Sequence, residues 1–429
     1  MSMTPGQVVP LLVEKPAAGG RMIARVDRQV VLVSGAIPGE RLTARVERIG
    51  KGVVYAQALS IEEASADRRE PFADPLCGGC LYAHIAYPRQ LEIKAQIIAD
   101  GFARIGRVVL PAPVPVAGSR SDGYRMRARL HVRARRVGFF REGTHEVCDA
   151  RATRQLLPAT ADVLDRVAGA LQSLEVDQVQ ELEVSENIDA SERVVHLDAA
   201  APVDPIRLAS MGPFAGLSGL TINRSSDGTQ DFSRADAIAG EPYVTDAIDV
   251  AGTHVRLRRH VLTFFQGNRY LLNDLVAHVV GLVEEGRTVV DLYAGAGLFA
   301  VSAAVARGAR VTAVEGDKLA ALDLEANTAL ANRGVVAVHQ PVENFTRTAP
   351  RRPDTIVLDP PRTGVSREAL DGIVGLRAGT IIYVSCDVAT LARDSRRLID
   401  AGYVIRRVDG FDLFPNTPHV ETVVEMERA

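Results

Sequence analysis

The spacing of hydrophobic positions changes along the chain and divides it into three regions. In residues 1–62, short β-branched runs (Val30 to Val33, Val53 to Tyr55) alternate with turns at Gly19-Gly20, Pro38-Gly39 and Gly50-Lys51-Gly52. Strands this short between glycine turns predict a small OB-like β-barrel. Residues 61–70 are charged and rich in Ala and Ser, a linker that leads into Cys77-Gly-Gly-Cys80. Leu91, Ile93, Ile97, Ile98, Phe102 and Ile105 then recur at helical spacing and predict an amphipathic helix over 90–105, stopped near Gly106. From 124 to about 250, strand-like segments are broken by Gly and Pro, with one helix predicted over 159–174. After Val255, strands of four or five mostly β-branched residues alternate with alanine-rich helices, the pattern of a doubly wound, mostly parallel sheet. The expected architecture is a barrel over 1–62, a central α+β domain over 63–250 and a Rossmann-like α/β domain over 251–429.

Composition narrows this reading. A chain of 429 residues, 47% hydrophobic and 24% charged, is too long for one core and too apolar to be disordered. No segment approaches the roughly 18 uninterrupted apolar residues of a membrane span, and the first residues lack the basic-then-apolar pattern of an export signal. The expectation is a cytoplasmic, monomeric protein without membrane association. Four cysteines are too few for a disulfide framework, so each is read as chemistry or as filler.

The net charge of −3 hides an uneven distribution. Residues 120–154 hold ten arginines (120, 125, 127, 129, 133, 135, 136, 141, 151 and 154) against four acids, whereas residues 161–250 hold seventeen acids against five arginines. A concentrated arginine segment predicts contact with a polyanion, the other reading being a solvated arginine-rich sheet face.

Three strand ends carry candidate chemistry. Thr288-Val-Val-Asp291-Leu-Tyr293-Ala-Gly295-Ala-Gly297 is a buried strand, a glycine turn and the start of an alanine-rich helix, where a ligand can approach backbone. The third glycine of the dinucleotide fingerprint is replaced by Ala300, and Glu315 ends the next strand about twenty residues on, placed to accept ribose hydroxyls. Together these favour S-adenosylmethionine over a nicotinamide dinucleotide. The strand Asp354-Thr-Ile-Val-Leu runs into Asp359-Pro-Pro-Arg362, whose prolines aim Asp359 at the carboxyl edge of the sheet. Ser385-Cys386-Asp387 follows a further strand, and Cys386 there is a candidate nucleophile, provided arginines or a helix N-terminus lower its pKa.

These motifs together resemble a family. Phe264-Phe-Gln266-Gly-Asn, Asp291-Leu-Tyr-Ala-Gly-Ala-Gly, Asp359-Pro-Pro-Arg, Ser385-Cys-Asp-Val-Ala-Thr-Leu-Ala-Arg-Asp and the terminal Phe414-Pro-Asn-Thr-Pro-His-Val-Glu421 are similar in order and spacing to the RNA 5-methyluridine methyltransferases. Residues 1–62 resemble a TRAM domain, an RNA-binding barrel. The resemblance implies that Gln266, Tyr293, Gly295, Glu315 and Asp359 serve the methyl donor and the target base. It makes Cys386 the nucleophile towards C6 of a uracil, with Glu421 removing the C5 proton. The arginine segment and the barrel are expected to supply phosphate contacts. Asp387 stands where some members have Asn.

The resemblance also implies an iron–sulfur site from Cys77, Cys80 and Cys148, but Pro71 to Leu76 supplies no cysteine for the first ligand. Substitution by Asp74, a three-cysteine cluster and no metal at all remain open at this point. A cytosine-5 RNA methyltransferase is the rival enzyme, but that chemistry places its cysteine where Arg362 stands. The rival without catalysis is an RNA-binding or chaperone protein with a vestigial donor pocket, in which Cys386, Asp359 and Glu421 have no reason to occur together.

Overall fold

The structure is a computed structural model describing all residues except 1–2, 134–135, 212–213, 227–228, 333 and 350–351. Strict alternation builds the N-terminal barrel. From Val8 to Glu14 every second side chain faces inward, and five strands close in the order Val8–Pro16, Met22–Val26, Gln29–Ser34, Val53–Glu63, Arg41–Gly50. Closure pairs Leu11 with Leu42 across the first and last of these strands, so the barrel has no free edge.

The helix expected over 90–105 runs over Tyr87–Gly101 and continues as a π-helical turn over Phe102–Gly106. It starts earlier than the apolar spacing indicates because Pro88 occupies the first turn, where no amide donor is required. The helix predicted over 159–174 spans Pro158–Ser173.

A seven-stranded sheet forms the centre of the chain. Its strand Arg127–Arg133 lies antiparallel to Val179–Glu186, which pairs in turn with Arg193–Ala199. Strands Tyr243–Val250 and Thr253–His260 make a hairpin across the expected 250/251 boundary. Ile248, Val250, Val255 and Leu257 from both arms share a core with Leu272, Leu275 and Val276 of the helix Leu272–Gly281.

The C-terminal sheet carries the chemistry. Its order is Val335–His339, Arg310–Glu315, Thr288–Leu292, Thr355–Leu358, Thr380–Ser385, Glu421–Arg428, Tyr403–Phe411, Val116–Ala117. The first five strands are parallel, and Glu421–Arg428 inserts antiparallel to its neighbours. From Thr288–Leu292 the chain moves outward on one side, then returns to the other side at Thr355–Leu358. That reversal opens a crevice at the carboxyl ends of the two strands, where ligands of doubly wound sheets bind. Among the described residues no helix is long and apolar enough to cross a membrane.

Candidate active site

Strand polarity brings the site together. Leu358 pairs with Tyr383 and Ser385 with Thr422, so the carboxyl ends of two parallel strands meet the first residue of an antiparallel one at a single edge. Asp359, Cys386 and Glu421 occupy those three positions, drawn from segments up to 62 residues apart in the chain.

The turn after Thr288–Leu292 is built for close approach. Tyr293, Gly295 and Gly297 have φ of 64°, 55° and 93°. The backbone at Gly297, with φ of 93°, favours glycine, and a Cβ there would also press on Leu324 Cδ1 at 2.9 Å. The helix Leu298–Arg307 starts at Gly297 and points its N-terminus at the crevice. Glu315 faces the turn from the next strand. One carboxylate oxygen accepts from the Gly295 amide at 2.8 Å and the other from the Asp317 amide at 2.6 Å. A carboxylate has about four lone-pair positions, so two stay free for a pair of hydroxyls.

Asp291 was read in the sequence as part of the donor motif but without a role of its own. It is 1% exposed, and neither carboxylate oxygen has a hydrogen-bond partner. Burial, then the charges of Asp359 and Glu315, push its pKa well up. An acid in the middle of the apolar run Thr288-Val-Val-Asp-Leu was the signal available. Two orphaned oxygens beside a glycine turn fit a donor with a cationic centre, and S-adenosylmethionine carries both an ammonium and a sulfonium.

Gln266 is buried and its Nε2 donates to Asp359 Oδ2 at 3.2 Å. Its segment is fastened to the central sheet: the Met126 amide donates to the Gly267 carbonyl and the Arg269 amide to the Tyr124 carbonyl, both at 2.9 Å. Burial raises the Asp359 pKa to about 7, and the Gln266 amide opposes the shift. Burial and the neighbouring Asp359 charge drive Glu421 well above the usual carboxylate range.

Cys386 departs from expectation. Burial, reinforced by Glu421, Asp359 and Asp387, pushes its thiol up to about 12, and Arg362 alone opposes them. The expected helix N-terminus is present, over Val388–Asp400, but Asp387 caps it by accepting from the Thr390 amide at 2.8 Å. The residue that satisfies the helix places a carboxylate beside the sulfur. The free protein therefore holds a thiol, and the nucleophile forms only when its proton is taken. Next to it Arg362 Nη2 lies 3.2 Å from His419 Nδ1.

The arginine segment meets acidic partners within the central sheet. Arg127 pairs with Glu183, Arg129 with Glu181 at 2.8 Å and with Asp198 at 3.4 Å. Arg133 donates to the carbonyls of Val132 and Gln180. The arginine run and the acidic run are adjacent antiparallel strands, so charges far apart in the chain neutralise each other across the sheet. Arg135 lies outside the described residues.

The cysteines do not fit the cubane donor set. Cys77 and Cys148 form a disulfide with Cα atoms 6.0 Å apart, and Cys80 is a separate buried thiol. Asp74 accepts from Arg141 Nε at 2.7 Å and from the Leu76 amide at 2.9 Å, which engages both its oxygens. Among the described residues no three His, Cys, Asp or Glu side chains gather as metal ligands. No step below passes through a cluster.

Residues 232–429 match the tRNA (uracil-5-)-methyltransferase family model and residues 3–59 the TRAM domain model. The 23S rRNA (uracil(1939)-C(5))-methyltransferase RlmD of Halomonas elongata is 32% identical over 97% of this chain and 89% of its own. The enzyme of the same name from Methylococcus capsulatus is 30% identical over 99% and 98%. The crystal structure of Pyrococcus abyssi tRNA (uracil-54, C5)-methyltransferase with S-adenosyl-L-homocysteine superposes with a TM-score of 0.76 at 24% identity, covering 97% and 99% of the two chains.

Proposed function

Since the chain belongs to the S-adenosylmethionine-dependent RNA uracil-C5 methyltransferases, what is left open is how its own residues act and on which RNA, and we propose that Cys386, Asp359 and Glu421 carry the reaction on a uridine of large-subunit ribosomal RNA. The single observation behind the residue roles is the convergence of one thiol and two buried carboxyls at one sheet edge. Ribosomal RNA is favoured because the relatives at 32% and 30% identity along nearly the whole chain are named as 23S rRNA enzymes, whereas the tRNA enzyme is 24% identical. The protein works in the cytoplasm.

Carbon-5 of uracil is too weak a nucleophile to take a methyl group unaided. Cys386 passes its thiol proton to the Asp359 carboxylate and forms a sulfur–C6 bond, which turns the ring into an enolate. S-adenosylmethionine, when bound, supplies the methyl group as an electrophile to C5. Glu421 then takes the C5 proton, the sulfur–C6 bond breaks, and the thiolate leaves. Asp359, whose pKa of about 7 lets it both hold and release a proton near neutrality, is oriented by Gln266. Glu315 holds the donor ribose and Asp291 faces the donor cation, while Tyr293 and Gly295 form the turn against which the donor lies. The target base must leave its stack to reach this crevice.

The test is to map 5-methyluridine in RNA from cells lacking the protein and to restore it in vitro. Loss at one large-subunit uridine, regained with wild-type protein but not with Cys386→Ala, is the expected result. Loss confined to transfer RNA would move the substrate, and loss nowhere would remove the reading.

A further inference from the structure

The hairpin of Tyr243–Val250 and Thr253–His260 is a two-stranded sheet, so among the described residues the outer edge of Thr253–His260 has no strand beside it. Asn327, on the helix Lys318–Ala331, takes that place for one residue. Its Oδ1 accepts from the Arg258 amide at 2.8 Å, and its Nδ2 donates to the Arg258 carbonyl at 2.7 Å. The second hydrogen of Nδ2 goes to the Ala296 carbonyl at 2.8 Å, inside the donor turn between Gly295 and Gly297. Both amide hydrogens are thus used, and the side chain is completely buried.

One helical turn earlier, Asp323 presents to the same side. It is buried, and its Oδ2 accepts from the His260 amide at 2.8 Å and from Thr263 Oγ1 at 2.6 Å. Three residues beyond Thr263 stands Gln266, which donates to Asp359. The start of the same helix is tied to Glu315, which accepts from the amide of the capping residue Asp317.

One helix therefore grips both halves of the crevice, the turn against which the donor lies and the segment that carries Gln266 to the target side. Packing a helix on a hairpin requires only apolar side chains at such positions. A carboxylate and a carboxamide buried there cost desolvation that only their hydrogen bonds offset. What those bonds add is a fixed distance between two backbone segments, and a misplacement of about 1 Å between reacting groups costs roughly 100-fold in rate.

We propose that Asn327 and Asp323 are positioning residues for methyl transfer: through them the helix Lys318–Ala331 holds the donor turn in register with the Gln266 segment, so that a bound donor also steadies the residues that receive the target base. The inference rests on the donor and target sides assigned above and adds the element that joins them.

The test compares wild type with Asn327→Ala, Asp323→Ala and Asp323→Asn, each below its own melting temperature. Backbone amide exchange of the full chain is followed by mass spectrometry with and without S-adenosylmethionine. Donor binding should slow exchange over residues 259–266 several-fold in wild type and in Asp323→Asn, whose side-chain oxygen still accepts from His260 and Thr263. The slowing should vanish in both alanine variants, although they bind the donor within about threefold of wild type. Thr263→Val removes one bond at nearly constant volume, should show the same loss in smaller degree, and serves where an alanine variant does not fold. Methyl transfer to ribosomal and transfer RNA from cells lacking the protein, at saturating donor and RNA, should fall about 10- to 100-fold in the alanine variants and less than about threefold in Asp323→Asn.

No donor-induced slowing in wild type overturns the proposal. So does slowing that survives in the variants while their melting temperatures fall, the mark of a merely structural role, and so do alanine variants that transfer methyl at the wild-type rate. Wild type that binds the donor yet methylates no RNA would instead overturn the catalytic reading, and the exchange data would still decide the role of the helix.

Discussion

Ionisable groups are buried in both the central sheet and the catalytic edge, but only the first region pairs them. In the central sheet and around it, Arg259 is bonded to Asp246 at 2.7 Å, Glu186 lies between Arg193 and Arg269, and Lys94 under the catalytic loop is bonded to Asp412. At the catalytic edge Asp291, Asp359 and Glu421 crowd together with a protonated thiol, and within that group the interactions are mainly repulsive. Paired buried charge positions elements, because breaking a pair leaves an uncompensated ion. Unpaired buried charge is held at a cost in stability, and such groups gather where protons and electrons must move.

The comparison makes opposite forecasts for the two regions. The largest effect belongs to the paired one: Glu186→Ala strands Arg193 and Arg269 and should cost about 3–5 kcal/mol in urea unfolding. A loss below about 1 kcal/mol would mean the two arginines find other acceptors.

At the donor turn the effect falls on binding. Glu315→Ala should weaken S-adenosylmethionine binding by about 1.5–3 kcal/mol, roughly 10- to 150-fold by calorimetry, without lowering the melting temperature appreciably. Unchanged affinity would remove Glu315 from the ribose.

Asp359→Asn should do the reverse of Glu186→Ala and stabilise. The folded pKa is about 7, above the ordinary carboxylate value of 3.8, so the folded state binds more protons than the unfolded one between those values. Its contribution to stability is then present below about pH 3.8 and lost as pH rises towards 7. The variant should melt a few degrees higher at pH 8, with the gain shrinking towards pH 4. An equal gain at both pH values would assign the effect to packing.

The smallest effect concerns the arginine strand. Each RNA phosphate that a protein cation ceases to neutralise takes about 0.7–0.9 off the log–log salt slope of binding. Arg127 and Arg129 already have acidic partners, so replacing Arg127, Arg129 and Arg133 together by Ala should lower the slope by less than the share of a single phosphate. A drop worth three phosphates would show that RNA displaces Glu181 and Glu183.

Much of this site was legible in the chain. Cys386, Asp359 and Gly295 each follow an apolar strand, and strand polarity alone delivers them to one edge. Glu421 was legible only through the terminal motif, because nothing local says that its strand inserts antiparallel beside Thr380–Ser385. The pairing of the charged runs was hidden for a related reason. The arginine run and the acidic run are separate in sequence and become neighbours only through the register of His131 with Glu181 and Arg129 with Glu183. Acidification of the thiol was expected from arginines or a helix N-terminus, and the helix is there, but the capping residue is itself an acid. Which pairs form across a sheet depends on long-range packing that no local pattern encodes.

The central claim is that Cys386 opens the reaction and Glu421 closes it, which Glu421→Gln tests most directly. Incubated with substrate RNA and donor labelled in its methyl group, this variant should transfer one methyl and stop, leaving a protein–RNA adduct that survives denaturing electrophoresis and carries the label. The same adduct should be missing when Cys386→Ala is added to the variant. Near-normal turnover of Glu421→Gln without any adduct would contradict the account and return the search for the base to Asp359 and Asp387.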